Sequence, residues 1–180
     1  MSMNATMRAL DVTRGVVRVE DVFDTDVHDL WEACTEPERL ARWLAHVSGD
    51  VRVGGAIHLT FTSTWDGPAR VEACDAPHHL LITAEPGTAG EAQIEAWLTA
   101  EGESSRLVVE ERGLPLEELY FHAAGWQVHL EDLGRSLALD ATAHPDGWSV
   151  SEASPAWRDR WMELTGAYKA EPIAAVASEG

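Results

Sequence analysis

Apolar and polar positions follow three successive regimes along the chain. From about Thr13 to Phe23, "TRGVVRVEDVF", β-branched residues dominate and predict a strand. In "TDVHDLWEACTEPERLARWL" the period lengthens to that of a helix, with Val27, Leu30, Trp31 and Cys34 on one stripe and Leu40, Trp43 and Leu44 on the next. Thr25 or Asp26 can cap the first of two short helices. Thr35 and Glu38 have capping-box spacing, with Pro37 in the first turn, so the second is predicted to open at Thr35.

Between Gly54 and about Leu114 the pattern is one of short alternating runs broken by turn residues. In "AIHLTFTSTW" the residues Ile57, Leu59, Phe61 and Trp65 share one face, and His58, Thr60, Thr62 and Thr64 the other, which reads as the wet side. Asp66-Gly67 predicts the next hairpin turn. "AQIEAWLTAE" then pairs with "SRLVVEER" across a tight connection.

A single stripe of Leu119, Trp126, Leu130, Leu133 and Leu137 predicts a long helix over about 116–141. Gly125 inside it costs about 1 kcal/mol relative to alanine, so close approach of another backbone or a bulky ligand to that turn is expected. The order of elements predicts an α+β fold: a curved antiparallel sheet of six to seven strands wrapped around this helix.

Beyond His144 a further helix starts at Ser154, with Pro155 at its first position. Its stripe of Trp157, Trp161, Leu164 and Tyr168 must be buried, on its own domain or on a second subunit. Three segments result: a flexible N-terminus (1–12), the domain (13–143), and an extension (144–180) that ends in a disordered tail.

Composition narrows the partners. The net charge of -18, from 31 acidic and 13 basic residues, repels phosphates and anionic lipid, so neither nucleic acid nor membrane insertion is expected. Two cysteines without metal spacing and the absence of a signal-like or membrane-length apolar run lead us to expect a cytoplasmic protein. Eight tryptophans point to an aromatic core or an indole-lined cavity.

The stretches "VHDLWEACTEPERLARWL", "DVRVGG", "CDAPHHLLITAE", "SRLVVEERGL" and "AAGWQVHLEDL", in this order, resemble the bacterial proteins related to the C-terminal domain of the activator of Hsp90 ATPase. These belong to the START-like, or Bet v 1-like, superfamily. The resemblance runs from about Arg14 to Leu139 and implies a helix-grip fold with a cavity between sheet and long helix. Members bind lipids, sterols or polyketides there, and a minority are cyclases or hydrolases. By position, the Trp of the family's Gly-Trp pair is Trp126, and the Trp closing its second helix is Trp43. A Glu common on one strand of the family is Ala73 here, and Glu72, one place off, falls on the opposite face of an alternating strand.

The expected cavity walls are Trp126, Trp43, Phe61, Leu59, Trp65 and Leu130, with His122 and His129 as polar anchors on the helix face of Trp126. The two histidines are seven residues apart, roughly 10 Å along a helix, so they do not form a metal pair, and no cofactor is expected. The leading expectation is a binding protein for a small, largely apolar molecule. The alternatives are an enzyme using His122 or Glu110 as acid or base, and a chaperone-linked or other protein-interaction module. A homodimer through the last helix stays open.

Overall fold

A computed structural model describes residues 3–175 of the chain; residues 1–2 and 176–180, including the end of the expected tail, lie outside them. Eight strands build one antiparallel sheet: β1 (Ala5–Ala9), β2 (Arg14–Phe23), β3 (Ala45–Gly49), β4 (Ala56–Phe61), β5 (Asp66–Asp75), β6 (His79–Ala84), β7 (Ala92–Glu101) and β8 (Ser104–Pro115). Their spatial order is β1-β2-β8-β7-β6-β5-β4-β3, a meander from β3 to β8 closed by β2. The helices are α1 (Val27–Thr35), α2 (Pro37–Leu40), α3 (Leu119–Leu139) and α4 (Pro155–Lys169). This is the helix-grip arrangement, with α3 lying along β2 and β1 and α4 packed on α3.

The sheet has eight strands where six to seven were expected, and β1 and β3 are the ones without a clear mark in the sequence. In β1, Ala5 and Met7 point into the core while Thr6 and Arg8 stay exposed, so residues 5–9 are an ordered edge strand and not part of a flexible N-terminus. The pattern was there, but its inward side chains are short and few. β3 follows the turn after α2 directly, with no glycine or proline to mark its start. Gly15 allows β2 to pass under α3: a Cβ there would sit 2.6 Å from Leu119 Cδ1 and 2.8 Å from the Arg8 carbonyl.

Local details depart from the sequence reading in two places. Asp26 caps α1 by accepting from Asp29 N–H at 2.9 Å, as expected of one of the two candidates. Thr35, however, ends α1 by donating to the Trp31 carbonyl at 2.8 Å, and α2 starts after Glu36 with no side-chain cap. The β4–β5 turn is made before Asp66-Gly67, over residues 62–64. Thr64 takes φ +77 and Phe61 N–H bonds the Trp65 carbonyl at 2.7 Å, so Asp66 already belongs to β5. There its carboxylate accepts from Thr60 Oγ1 at 2.6 Å and lies 2.7 Å from His58 Nε2 on the wet face.

The extension docks on its own domain. Ser154 caps α4, and Trp157, Leu164 and Tyr168 are buried against α3 and the core. Tyr168 accepts from Ala5 N–H at 2.9 Å and donates to Gln127, tying β1, α3 and α4 together. Beyond α4 the chain pairs with the free edge of β1, where Ala174 N–H reaches the Met7 carbonyl at 3.0 Å. The described part of the tail is therefore fixed, because β1 offers it unpaired backbone groups.

Candidate functional site

Because α3 leans onto the β1–β2 flank, the sheet from β4 to β8 is left partly uncovered beneath it. Inward residues of those strands then face a gap. A cavity of about 140 Å³ fills it, walled by Leu59 and Phe61 of β4, Leu107 and Val109 of β8, Trp43 after α2, and Trp126 of α3. Trp43 is fixed in place because its indole N–H donates to the Ala33 carbonyl at 2.9 Å, leaving its ring free to serve as wall. Exposed Val51, Arg52 and Cys74 mark the outer end. Cys34 lines the same space, and burial pushes its thiol up to about 12, which keeps it protonated and unreactive.

A second, larger cleft of about 920 Å³ lies on the other side of Trp126, and Phe61, Ile94 and Trp126 border both spaces. Phe61 and Trp126 meet edge to face at 6.2 Å, making a partition between an apolar inner chamber and a mixed outer one. Trp65, His122 and His129 belong to the outer chamber. Trp126 Nε1 donates to Glu111 Oε1 at 3.3 Å, and His122 Nδ1 lies 3.0 Å from the same oxygen. Burial opposes a charge on His122, but the hydrogen bond to Glu111 and the charges of Glu111 and Glu118 outweigh it, so its pKa is raised.

The expected wall residues therefore divide. Trp43, Leu59, Phe61 and Trp126 border the inner chamber, while Leu130 borders neither chamber and is simply core. One helical turn beyond Trp126, it faces the part of the sheet that α3 already covers. His129 is 3 % exposed, its Nδ1 lies 3.3 Å from Thr62 Oγ1, and burial lowers its pKa to about 4; it is a neutral packing residue more than an anchor. Thr62 is correspondingly buried, although it was read with the wet face.

Glu110, the carboxylate suggested as an acid or base, is on the outer face of the sheet with Arg8, Arg18 and Arg112. Its neighbour Glu111 points inward, as alternation requires. Glu72 also lies outward, bonded to Arg70 and Thr83. Gly125 meets no close backbone: the nearest atoms to a Cβ there are the indoles of Trp157 and Trp161 at 3.9 Å, ordinary contact distance.

One group escaped the sequence reading. Ser154 Oγ lies 3.0 Å from His144 Nδ1, and His144 Nε2 lies 3.0 Å from Asp132 Oδ2, off-line for an ordinary hydrogen bond. The order Ser-His-Asp is that of a nucleophile and its base. All three are buried, and the serine oxygen already accepts from Trp157 N–H, so here the set clamps the extension onto α3. No residue spacing could have revealed it, since His144 lies in the irregular connection between α3 and α4, whose path has no period to read. Among the described residues no His, Cys, Asp and Glu group could hold a metal ion.

The family model of activator of Hsp90 ATPase homolog 1-like proteins matches residues 24–138. The chain belongs to that family. Among solved structures, the crystal structure of CalU16 from Micromonospora echinospora is similar at a TM-score of 0.72 and 22% identity, over 94% of this chain and 98% of that one. The solution structure of CalU16 gives a TM-score of 0.74 and 24% identity, over 94% of each. DynU16, a protein of the dynemicin biosynthetic locus, is similar at 0.66 and 27% identity, over 71% of this chain and 49% of that one. No curated protein matches the sequence. Among the described residues no helix is long and apolar enough to cross a membrane.

Proposed function

We propose that this protein binds a small, largely apolar molecule between sheet and long helix, seated in the inner chamber. The observation that supports this is a roughly 140 Å³ space bounded by side chains from four separate parts of the fold and left unfilled by any of them. Interiors normally pack to crystal density, and an apolar hole of about 150 Å³ is large enough to hold a benzene ring. A ligand with one ring fits the chamber; a longer one continues past Cys34 toward Val51 and Cys74. The family membership and the CalU16-like fold agree with such a role.

Toluene tests the reading. At ten times its Kd a ligand adds about 1.4 kcal/mol, which raises Tm by roughly 3–6 °C for a chain of this size. Ala96 lines the chamber, and Ala96→Phe fills it, so that variant should show no toluene-dependent shift. A shift of equal size in both proteins would refute the inner chamber as the site.

The aromatic stripe of α4 was the sequence feature behind a partner-binding alternative. Trp157, Leu164 and Tyr168 of that stripe are buried within the chain, and Trp161 alone stays partly exposed.

A further inference from the structure

We propose that the outer chamber is a second binding site, for an aromatic compound carrying a protonated amine, and that the C-terminal extension supplies one of its walls. The family match ends at residue 138, yet Trp157 and Trp161 of α4 border this chamber opposite Trp65. Phe121 stacks on Trp161 at 5.5 Å, and Trp161 stacks on Trp157 at 6.1 Å, giving a continuous aromatic side. The Trp161 indole is fixed by donating to the Phe121 carbonyl at 3.0 Å. Such faces attract cations as well as flat rings.

Charge selects between ring systems. Glu85, Glu111, Glu118 and Glu152 line the chamber against Arg14 and Arg158. The arginines offer an anion little. Arg14 already donates to the carbonyls of Gly113 and Ala89 at 3.2 Å each, and exposed Arg158 faces Glu152 at 4.0 Å. His122 pairs with Glu111 and feels the charge of Glu118 only at longer range, and neither Glu118 nor Glu85 forms a salt bridge among the described residues. The chain's net charge of -18 adds a long-range preference of the same sign.

This site lies across the shared Phe61–Trp126 partition from the inner chamber, and because Ala96 lines only the inner space and Glu85, Glu118 and Trp161 only the outer one, the two readings fail separately. Three probes of matched shape decide it by calorimetry at pH 7.5 and low salt: 2-(1-naphthyl)ethylamine, 1-ethylnaphthalene and 3-(1-naphthyl)propanoic acid. The amine should bind at least about tenfold more tightly than the hydrocarbon, about 1.4 kcal/mol, and the acid more weakly than either. Glu85→Gln with Glu118→Gln should remove most of the amine's advantage and leave the hydrocarbon's affinity unchanged. Trp161→Ala should weaken the amine severalfold, and Ala96→Phe, which fills only the inner chamber, should not. Melting curves establish that each variant is folded, and if Trp161→Ala is not, Phe121→Ala replaces it on the same wall. Equal affinity for amine and hydrocarbon, or amine binding lost in Ala96→Phe but kept in the wall variant, would overturn the proposal.

Discussion

Replacing His129 with glutamine should alter the pH dependence of stability more than stability itself. The imidazole sits at the middle of α3, ringed by Phe61, Trp126 and Trp157 at 5.4–5.8 Å between ring centres. The Trp43 backbone also interacts with the ring, and Nδ1 lies 3.3 Å from the Thr62 hydroxyl, which can donate to it in the neutral tautomer. Burial lowers its pKa from 6.5 to about 4; Asp132 and Glu111 favour a charge there, and His144 opposes it. The folded state thus refuses a proton that the unfolded chain accepts. Stability from this group is whole above pH 6.5 and is lost as pH falls toward 4.

At pH 5.0 the unfolded imidazole is about 97% protonated and the folded one about 9%, which amounts to about 2 kcal/mol of lost stability relative to pH 7.5. Glutamine has no proton to take up. At pH 7.5 the variant should be less stable by about 1–3 kcal/mol through imperfect hydrogen bonding, and that deficit should shrink by about 2 kcal/mol at pH 5.0. Urea unfolding followed by tryptophan fluorescence at both pH values, at low concentration because the isoelectric point is near 4.6, measures the difference. Titrating groups that do not interact with His129 are common to both proteins and cancel. A deficit of the same size at the two pH values would refute the buried, neutral assignment of His129.

Three further outcomes follow from the same geometry. Gly125→Ala should stabilise the protein by about 0.5–1 kcal/mol, read from urea midpoints, because a methyl meets nothing nearer than 3.9 Å and the helix gains a better residue. His144→Ala leaves the Asp132 carboxylate buried with one partner fewer, and should cost about 3 kcal/mol and open residues 145–169 to limited proteolysis before the sheet is cut. Iodoacetamide at pH 8 should alkylate exposed Cys74 and spare Cys34, as peptide mass spectrometry would show, since the Cys34 thiol is pushed up to about 12.

Long amphipathic elements were legible in the sequence because each repeats its own signal. The α3 stripe of Leu119, Trp126, Leu130 and Leu133 gives that helix within two or three residues, and the strands β4 to β8 follow from short apolar runs separated by turn residues. Short elements lack that redundancy. β1 shows only Ala5 and Met7 inward, and β3 has one buried residue, Ala45, so pairing with a neighbour and not local preference makes them strands. Turn chemistry misled at Asp66-Gly67 for a related reason: the Asp66 carboxylate is held by Thr60 and His58 across the ladder, and this fixes the register that pushes the reversal back to Thr64.

The candidate site was legible to the extent that it depends on which face a residue occupies. Alternation puts Leu59, Phe61 and Val109 inward, and helical phase puts Trp126 opposite them. What no period encodes is how α3 sits across the sheet. Its lean toward β2 and β1 decides that Leu130 is core while Trp126, one turn away, is a partition between two spaces. The same lean frees the opposite side of α3 for α4, so Gly125 faces indoles and not a ligand. Polar partners follow the packing as well. Glu111, and not the adjacent Glu110, acquires Trp126 and His122, because one step along β8 separates the ion-paired outer face from the chambers within. The strand's parity was readable; the assignment of parity to a chemical environment required the helix that closes over it.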